Sequence, residues 1–280
     1  VLKLKNKIKE LFITGLNKVP FYEKPLPKKP FGVKPWANKK TYLDLYHNLI
    51  SKDNNDLTKF EKKNGYSIDK DWLNKVALKT QVVIKKESLN CFHGRVLYSE
   101  LSKYINNYDS QRKEKIIIFE TGTARGFSAL CMSKALIDQE AQGLVVTLDC
   151  ISHNEKIFWN CITDIEGPCS RSELLSSWPN ELKNILFIQG WTNKTLKKIG
   201  LGRINFAFLD AQHTKKDVLA EFDYVSSRQL KGDIVIFDDV TPGIFNGVCE
   251  AVDEIKEKYN YSIRHICFSD ERGYAIAYKL

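Results

Sequence analysis

No run of about 18 consecutive apolar residues occurs anywhere in the 280 residues, so no membrane-spanning helix is expected. The first residues also lack an apolar core followed by a small-residue cleavage site, which argues against a secretory leader. None of the seven cysteines (Cys91, Cys131, Cys150, Cys161, Cys169, Cys249, Cys267) forms a CxxC pair, and their number is odd. That speaks against a zinc site or a disulfide framework and for a reducing, cytoplasmic compartment. No internal repeat is present. Acidic residues are nearly missing from the first forty positions, where eleven lysines face only Glu10 and Glu23. The whole net charge of +9 therefore belongs to this leader, and the remaining 240 residues are balanced. No RNA- or DNA-reading motif accompanies the charge, so nucleic acid is not an expected partner.

What is present falls into three segments. In residues 1–40, Leu4, Ile8, Leu11 and Phe12 lie on one face of a basic helix. Such a face suits docking on its own domain or on a partner subunit of a homo-oligomer, or contact with a membrane surface. Pro20, Pro25, Pro27, Pro30 and Pro35 then impose an extended linker. Residues 41–110 read as mainly helical, ending in an amphipathic stretch around Leu97, Leu101 and Ile105. From 111 to 280 the pattern changes. Apolar runs at 116–119, 145–148, 185–188, 206–209 and 234–237 alternate with helical stretches. Runs without polar alternation predict parallel strands buried on both faces, and hence a doubly wound α/β sheet. Its ligands bind at the carboxyl ends of the strands. Two last segments, 263–267 and 274–278, sit close together around Asp270 and Gly273 and predict an antiparallel hairpin.

Chemistry gathers at the strand ends. The first strand runs into Glu120, Thr121, Gly122, Thr123, Ala124, Arg125, Gly126, Phe127 and Ser128. Glycines there let backbone approach a ligand, and the following helix offers free N–H groups. The spacing is GxxxG, not the GxGxxG that seats a pyrophosphate. Glu120 suits a cationic ligand end such as the amino group of S-adenosylmethionine, although a tight turn in any α/β protein can look alike. The second strand ends in Asp149, placed to accept from both ribose hydroxyls or to cap the next helix. The fourth delivers Asp210 and His213, and the fifth Asp238 and Asp239. Three carboxylates at one edge repel unless neutralised, and a hard dication such as Mg²⁺ or Mn²⁺ with oxygen ligands does this. The alternative is that one or two of them cap helices or serve the cofactor. His213 offers a near-neutral base or a backbone-bonded helix start.

The block from Glu120 to Ser128 resembles motif I of the catechol O-methyltransferase-like branch of class I S-adenosylmethionine-dependent methyltransferases. The later blocks, Asp210 to His213 and Asp238-Asp239, resemble its macrocin O-methyltransferase-like relatives that act on sugars. The resemblance covers residues 93–280 and implies a Rossmann-like, mostly parallel seven-stranded sheet with a C-terminal hairpin and a mainly helical N-terminal extension. It implies cofactor contacts from Glu120, Gly122, Thr123, Gly126, Ser128, Asp149, Gly190, Trp191 and Asp210. It further implies a metal at Asp210, Asp238 and Asp239, and His213 where catechol-type relatives carry a lysine base. Residues 151–180, with Trp159, Asn160, Arg171 and Trp178, exceed what a crossover needs and suit a lid over a polyhydroxyl substrate or a peripheral insertion. The expected activity is metal-assisted methyl transfer to a hydroxyl of a sugar, glycan or glycosylated metabolite. A small phenol is the other acceptor class; a non-catalytic S-adenosylmethionine-binding module and a dinucleotide-dependent enzyme are the competing functions.

Overall fold

The structure is a computed structural model describing residues 25–52, 54–107, 115–268 and 272–280. The expected leader helix, Pro20 and Asp270 lie outside the described residues. Seven strands form one sheet in the order β3-β2-β1-β4-β5-β7-β6. They are β1 (Ile116–Thr121), β2 (Gly143–Asp149), β3 (Ile185–Gln189), β4 (Phe206–Leu209), β5 (Ile234–Phe237), β6 (Tyr261–Cys267) and β7 (Gly273–Lys279). β1 to β5 pair in parallel, and β7 runs antiparallel to both β5 and β6. The five apolar runs are thus the five parallel strands, and the closely spaced last pair is the hairpin.

Each central strand divides its side chains between two cores, which is why its sequence does not alternate with polar residues. Ile118, Phe206, Phe208 and Ile236 face one core with the helix Phe127–Asp138. Phe119, Ala207, Val235 and Phe237 face the other, with helices Lys215–Ser226 and Asn246–Lys258. The N-terminal region supplies helices Lys39–Ser51, Asn55–Asn64, Lys70–Thr80 and Phe92–Asn107. Asn38, Asn54 and Asp69 start the first three by accepting hydrogen bonds from Thr41, Leu57 and Trp72 backbone N–H groups. Tyr42, Leu57, Val76 and Leu101 are buried in the same core as Ile118, so these helices complete the sheet's first face.

Part of the leader is tied down as well. Phe31 packs tilted against Trp159, with ring centroids 5.9 Å apart, and the Arg125 guanidinium lies 4.3 Å over the Phe31 ring. The linker therefore touches the glycine-rich turn itself, a contact that a count of strand-end residues does not foresee. Among the described residues no helix is long and apolar enough to cross a membrane.

Candidate active site

The turn after β1 is held from three sides. Gly122 has φ 90°, and a Cβ there would lie 2.1 Å from the Asp210 carbonyl oxygen. The close approach of the chain leaving β4 thus by itself demands a glycine here. Gly126, also at φ 90°, would put a Cβ 2.8 Å from a Leu175 methyl. Between them Ala124 takes φ 44°, left-handed for a residue with a Cβ. Two side chains hold it there. Asp149 Oδ2 accepts from the Ala124 N–H at 2.5 Å, and Arg171 Nε donates to the Ala124 carbonyl at 2.9 Å.

Asp149 completes this end of the site. Its Oδ1 accepts from the Ile151 N–H at 2.7 Å, and Arg171 Nη2 stands 3.8 Å from Oδ2. Arg171 is 2% exposed, its Nη2 has no hydrogen-bond partner, and the rings of Trp159 and Phe187 lie 5.5 and 5.8 Å from its guanidinium. Burial lowers its pKa, opposed by the charges of Asp149 and Glu120. Segment 151–180 thus delivers an arginine to the turn. A lone Arg171 in a long insertion carries no periodic or motif signal for this placement.

Glu120 does not reach the surface. It is fully buried beneath the turn, accepting from the hydroxyls of Ser128 and Thr147, while Thr123 and Thr147 hydroxyls meet at 2.5 Å. Burial pushes its carboxyl up to about 7, the two hydroxyls pulling the other way. Glu120 is thus an internal anchor for Ser128 and Thr147. Thr147, a polar residue inside an apolar strand, was the available signal for this network. At the end of β3, a Cβ on Gly190 would meet the Thr195 hydroxyl at 2.1 Å. Trp191 lines a cavity of about 200 Å³ together with Thr192, Asn193, Gln212 and Glu221.

The acids gather at the neighbouring strand ends. Asp210 is partly exposed, while Asp238 and Asp239 are 2% and 4% exposed. Asp239 takes φ 57°, which lets Asp238 Oδ1 accept from its N–H at 2.8 Å and turns its own carboxylate to His213, whose Nε2 lies 3.1 Å from Oδ2. One ligand atom each from Asp210, His213 and Asp239 lie within 4.8 Å of one another. Asp238, expected as the third oxygen ligand, is not in this group. It is committed to its neighbour's backbone and to Arg272, whose Nη1 is 3.6 Å from Oδ2. Arg272 Nε is also 3.4 Å from Asp239 Oδ1. Burial, then Asp238 and Asp239, hold the Asp210 carboxyl well above the usual carboxylate range, and burial with Asp239 pushes Asp238 up to about 6. Burial also disfavours charge on Asp239, but the His213 hydrogen bond and Arg272 outweigh it and keep its pKa low. The same hydrogen bond raises His213.

A β3-β2-β1-β4-β5-β7-β6 order, a glycine-rich turn after β1 and an acid closing β2 define the class I S-adenosylmethionine-dependent methyltransferase fold. Residues 119–240 match the family model described as "Methyltransferase domain". Residues 119–240 are therefore a methyltransferase domain, set in a sheet of the class I S-adenosylmethionine-dependent methyltransferase fold. No curated protein matches the chain significantly by sequence. Solved structures do match in fold. The O-methyltransferase TomG of Streptomyces achromogenes, solved with SAM and involved in tomaymycin synthesis, is 17% identical with a TM-score of 0.51, over 76% of this chain and 91% of its own. An O-methyltransferase from Bacillus cereus, solved with SAH, is 16% identical with a TM-score of 0.51, over 76% and 92%. The SAH-bound methyltransferase PaMTH1 of Podospora anserina is 18% identical with a TM-score of 0.51, over 80% and 93%. At these identities the likeness is one of fold.

Proposed function

We propose that the chain transfers the methyl group of S-adenosylmethionine to a hydroxyl oxygen of a sugar, glycan or glycosylated metabolite. The observation that carries this reading is the meeting of Asp210, His213 and Asp239 within 4.8 Å beside the turn held by Asp149. Ribose hydroxyls donate to Asp149, and the adenine enters the cavity lined by Trp191, Thr192, Asn193 and Gln212. His213, oriented by Asp239, takes the proton of the acceptor hydroxyl as the methyl group arrives in line. Two carboxylates and an imidazole so close together suit a divalent cation, and Asp239 Oδ1 has no hydrogen-bond partner of its own. Asp210 and Asp239 would hold such an ion. When bound, it supplies charge stabilisation that lowers the pKa of the acceptor hydroxyl.

The cofactor half is tested by calorimetry. Asp149→Ala is expected to weaken S-adenosylhomocysteine binding by about 1.5–3 kcal/mol, through the lost bonds to a charged acceptor. An affinity equal to wild type would remove Asp149 from the cofactor site. The metal half is tested by chelation. Methylation of a panel of sugar acceptors is expected to stop in EDTA and to return with Mg²⁺ or Mn²⁺. Full activity in EDTA would leave the three acids as structural or cofactor groups and make the enzyme metal-independent. Turnover of small phenols but of no sugar would replace the proposed acceptor class.

A further inference from the structure

Arg272 lies where a metal-assisted reading leaves no work for a basic side chain. It immediately precedes β7, beside the end of β5 that carries Asp238 and Asp239, and is 28% exposed at its side chain. Its guanidinium faces two carboxylates at once, 3.6 Å from Asp238 Oδ2 and 3.4 Å from Asp239 Oδ1. Those separations are long for charge-assisted hydrogen bonds. Both oxygens are buried and have no hydrogen-bond partner. The arginine therefore balances their charge without saturating them. The three acids bring up to three negative charges to one buried edge. Apart from the imidazole of His213, Arg272 is the cation in direct contact with them among the described residues.

A dication held by Asp210 and Asp239 would bring its charge to the same carboxylate that Arg272 now faces. Two cations sharing one carboxylate repel, and at these distances in a half-buried site the repulsion is not screened away. Asp238 resolves the conflict in one direction. It is tied to the Asp239 N–H through Oδ1 and lies outside the three-donor group, so it stays available to Arg272 whether or not Asp239 is.

We infer that Arg272 is a tethered counter-cation for the acid pair, a positioning residue that competes with the divalent ion for Asp239 and sets how tightly that ion is held. The inference rests on the proposed metal site. The guanidinium lies between Asp238 and Asp239 and keeps two buried like charges compatible with the fold. On loading, it keeps Asp238 and gives up Asp239. The metal affinity of this site is accordingly lower than its donors alone would give, and metal and arginine exchange places as the charge balance requires.

The test is a titration of the full chain with Mn²⁺ alone, read by calorimetry and by the loss of the free-ion electron paramagnetic resonance signal. Arg272→Gln removes the charge while keeping a polar side chain, and is expected to bind Mn²⁺ about tenfold more tightly than wild type. Detectable binding by Arg272→Gln where wild type shows none would support the competition equally. Equal affinities, or weaker binding by the variant, would overturn it. No binding by either protein would instead remove the metal site on which the inference rests, so the two failures are distinguishable. If Arg272→Gln does not fold, Arg272→Lys provides the comparison. Its shorter point charge cannot span both carboxylates, and an affinity gain of about threefold is expected; no gain would overturn the competition.

Discussion

Replacing His213 with alanine is expected to lower methyl transfer by about 10²–10⁴-fold while leaving S-adenosylhomocysteine affinity within about twofold of wild type. The split follows from the placement of the ring. His213 sits beyond β4, hydrogen-bonded through Nε2 to Asp239 and against the Phe245 ring, with centroids 4.7 Å apart. The groups that hold the turn, Asp149 and Arg171, lie at the ends of β2 and in the segment that follows it. A base must be neutral to accept a proton, and Asp239 raises the imidazole pKa. The rate is therefore expected to climb with pH above the usual histidine range. The measurement is S-adenosylhomocysteine release with a sugar acceptor at saturating cofactor, beside calorimetry on the same variant. A His213→Ala rate within threefold of wild type would make the histidine a bystander. An equal fall in rate and cofactor affinity would make it part of the cofactor site.

How much of this could be read from the sequence differs sharply between levels. The central parallel strands were legible because a strand buried on both faces is apolar over most of its length, as in Ile116, Ile117, Ile118 and Phe119. The hairpin was legible from spacing, since no crossover helix fits between Cys267 and Gly273. Strand-end acids follow from the fold once the strands are known, so Asp149, Asp210, Asp238 and Asp239 could be nominated. Their partners could not. Arg171 and Arg272 reach the site from an insertion and from a hairpin, and long side chains cross distances that no local pattern encodes. The reason for a glycine was equally hidden. Gly122 reads as room for a ligand, yet the atom it avoids is the Asp210 carbonyl oxygen, 88 positions along the chain. Asp238 and Asp239 are adjacent and chemically alike. The left-handed backbone at Asp239 turns its carboxylate to both His213 and Arg272, while Asp238 faces Arg272 alone.

Glu221→Gln is expected to raise the thermal stability of the cofactor-free protein at pH 8 and to leave it nearly unchanged at pH 5. Glu221 lies on the helix following β4, is 2% exposed, and accepts from the Thr121 hydroxyl at 2.6 Å through Oε2. Its Oε1 has no hydrogen-bond partner. Burial raises its pKa from 4.5 to about 7, and the nearby Asp217 adds to the shift while Thr121 and His213 oppose it. A raised pKa means that the folded state binds its proton more tightly than the unfolded chain does. The protonated group is therefore tolerated below the unfolded pKa. As pH rises from about 4.5 to about 7, the unfolded chain releases the proton first and stability falls; above the folded pKa the full penalty is present. A shift of this size corresponds to on the order of 3 kcal/mol. Glutamine keeps the shape and the acceptor for Thr121 without a charge to desolvate, so it removes the penalty where it exists, at high pH. Glu120 carries a shift of the same direction and remains in the variant, so a smaller decline with pH persists. Scanning calorimetry of both proteins at pH 5 and pH 8 decides the matter. A gain that is the same at both values would assign the effect to packing, and a loss at pH 8 would mean that the ionised carboxylate is held by a partner in the folded protein.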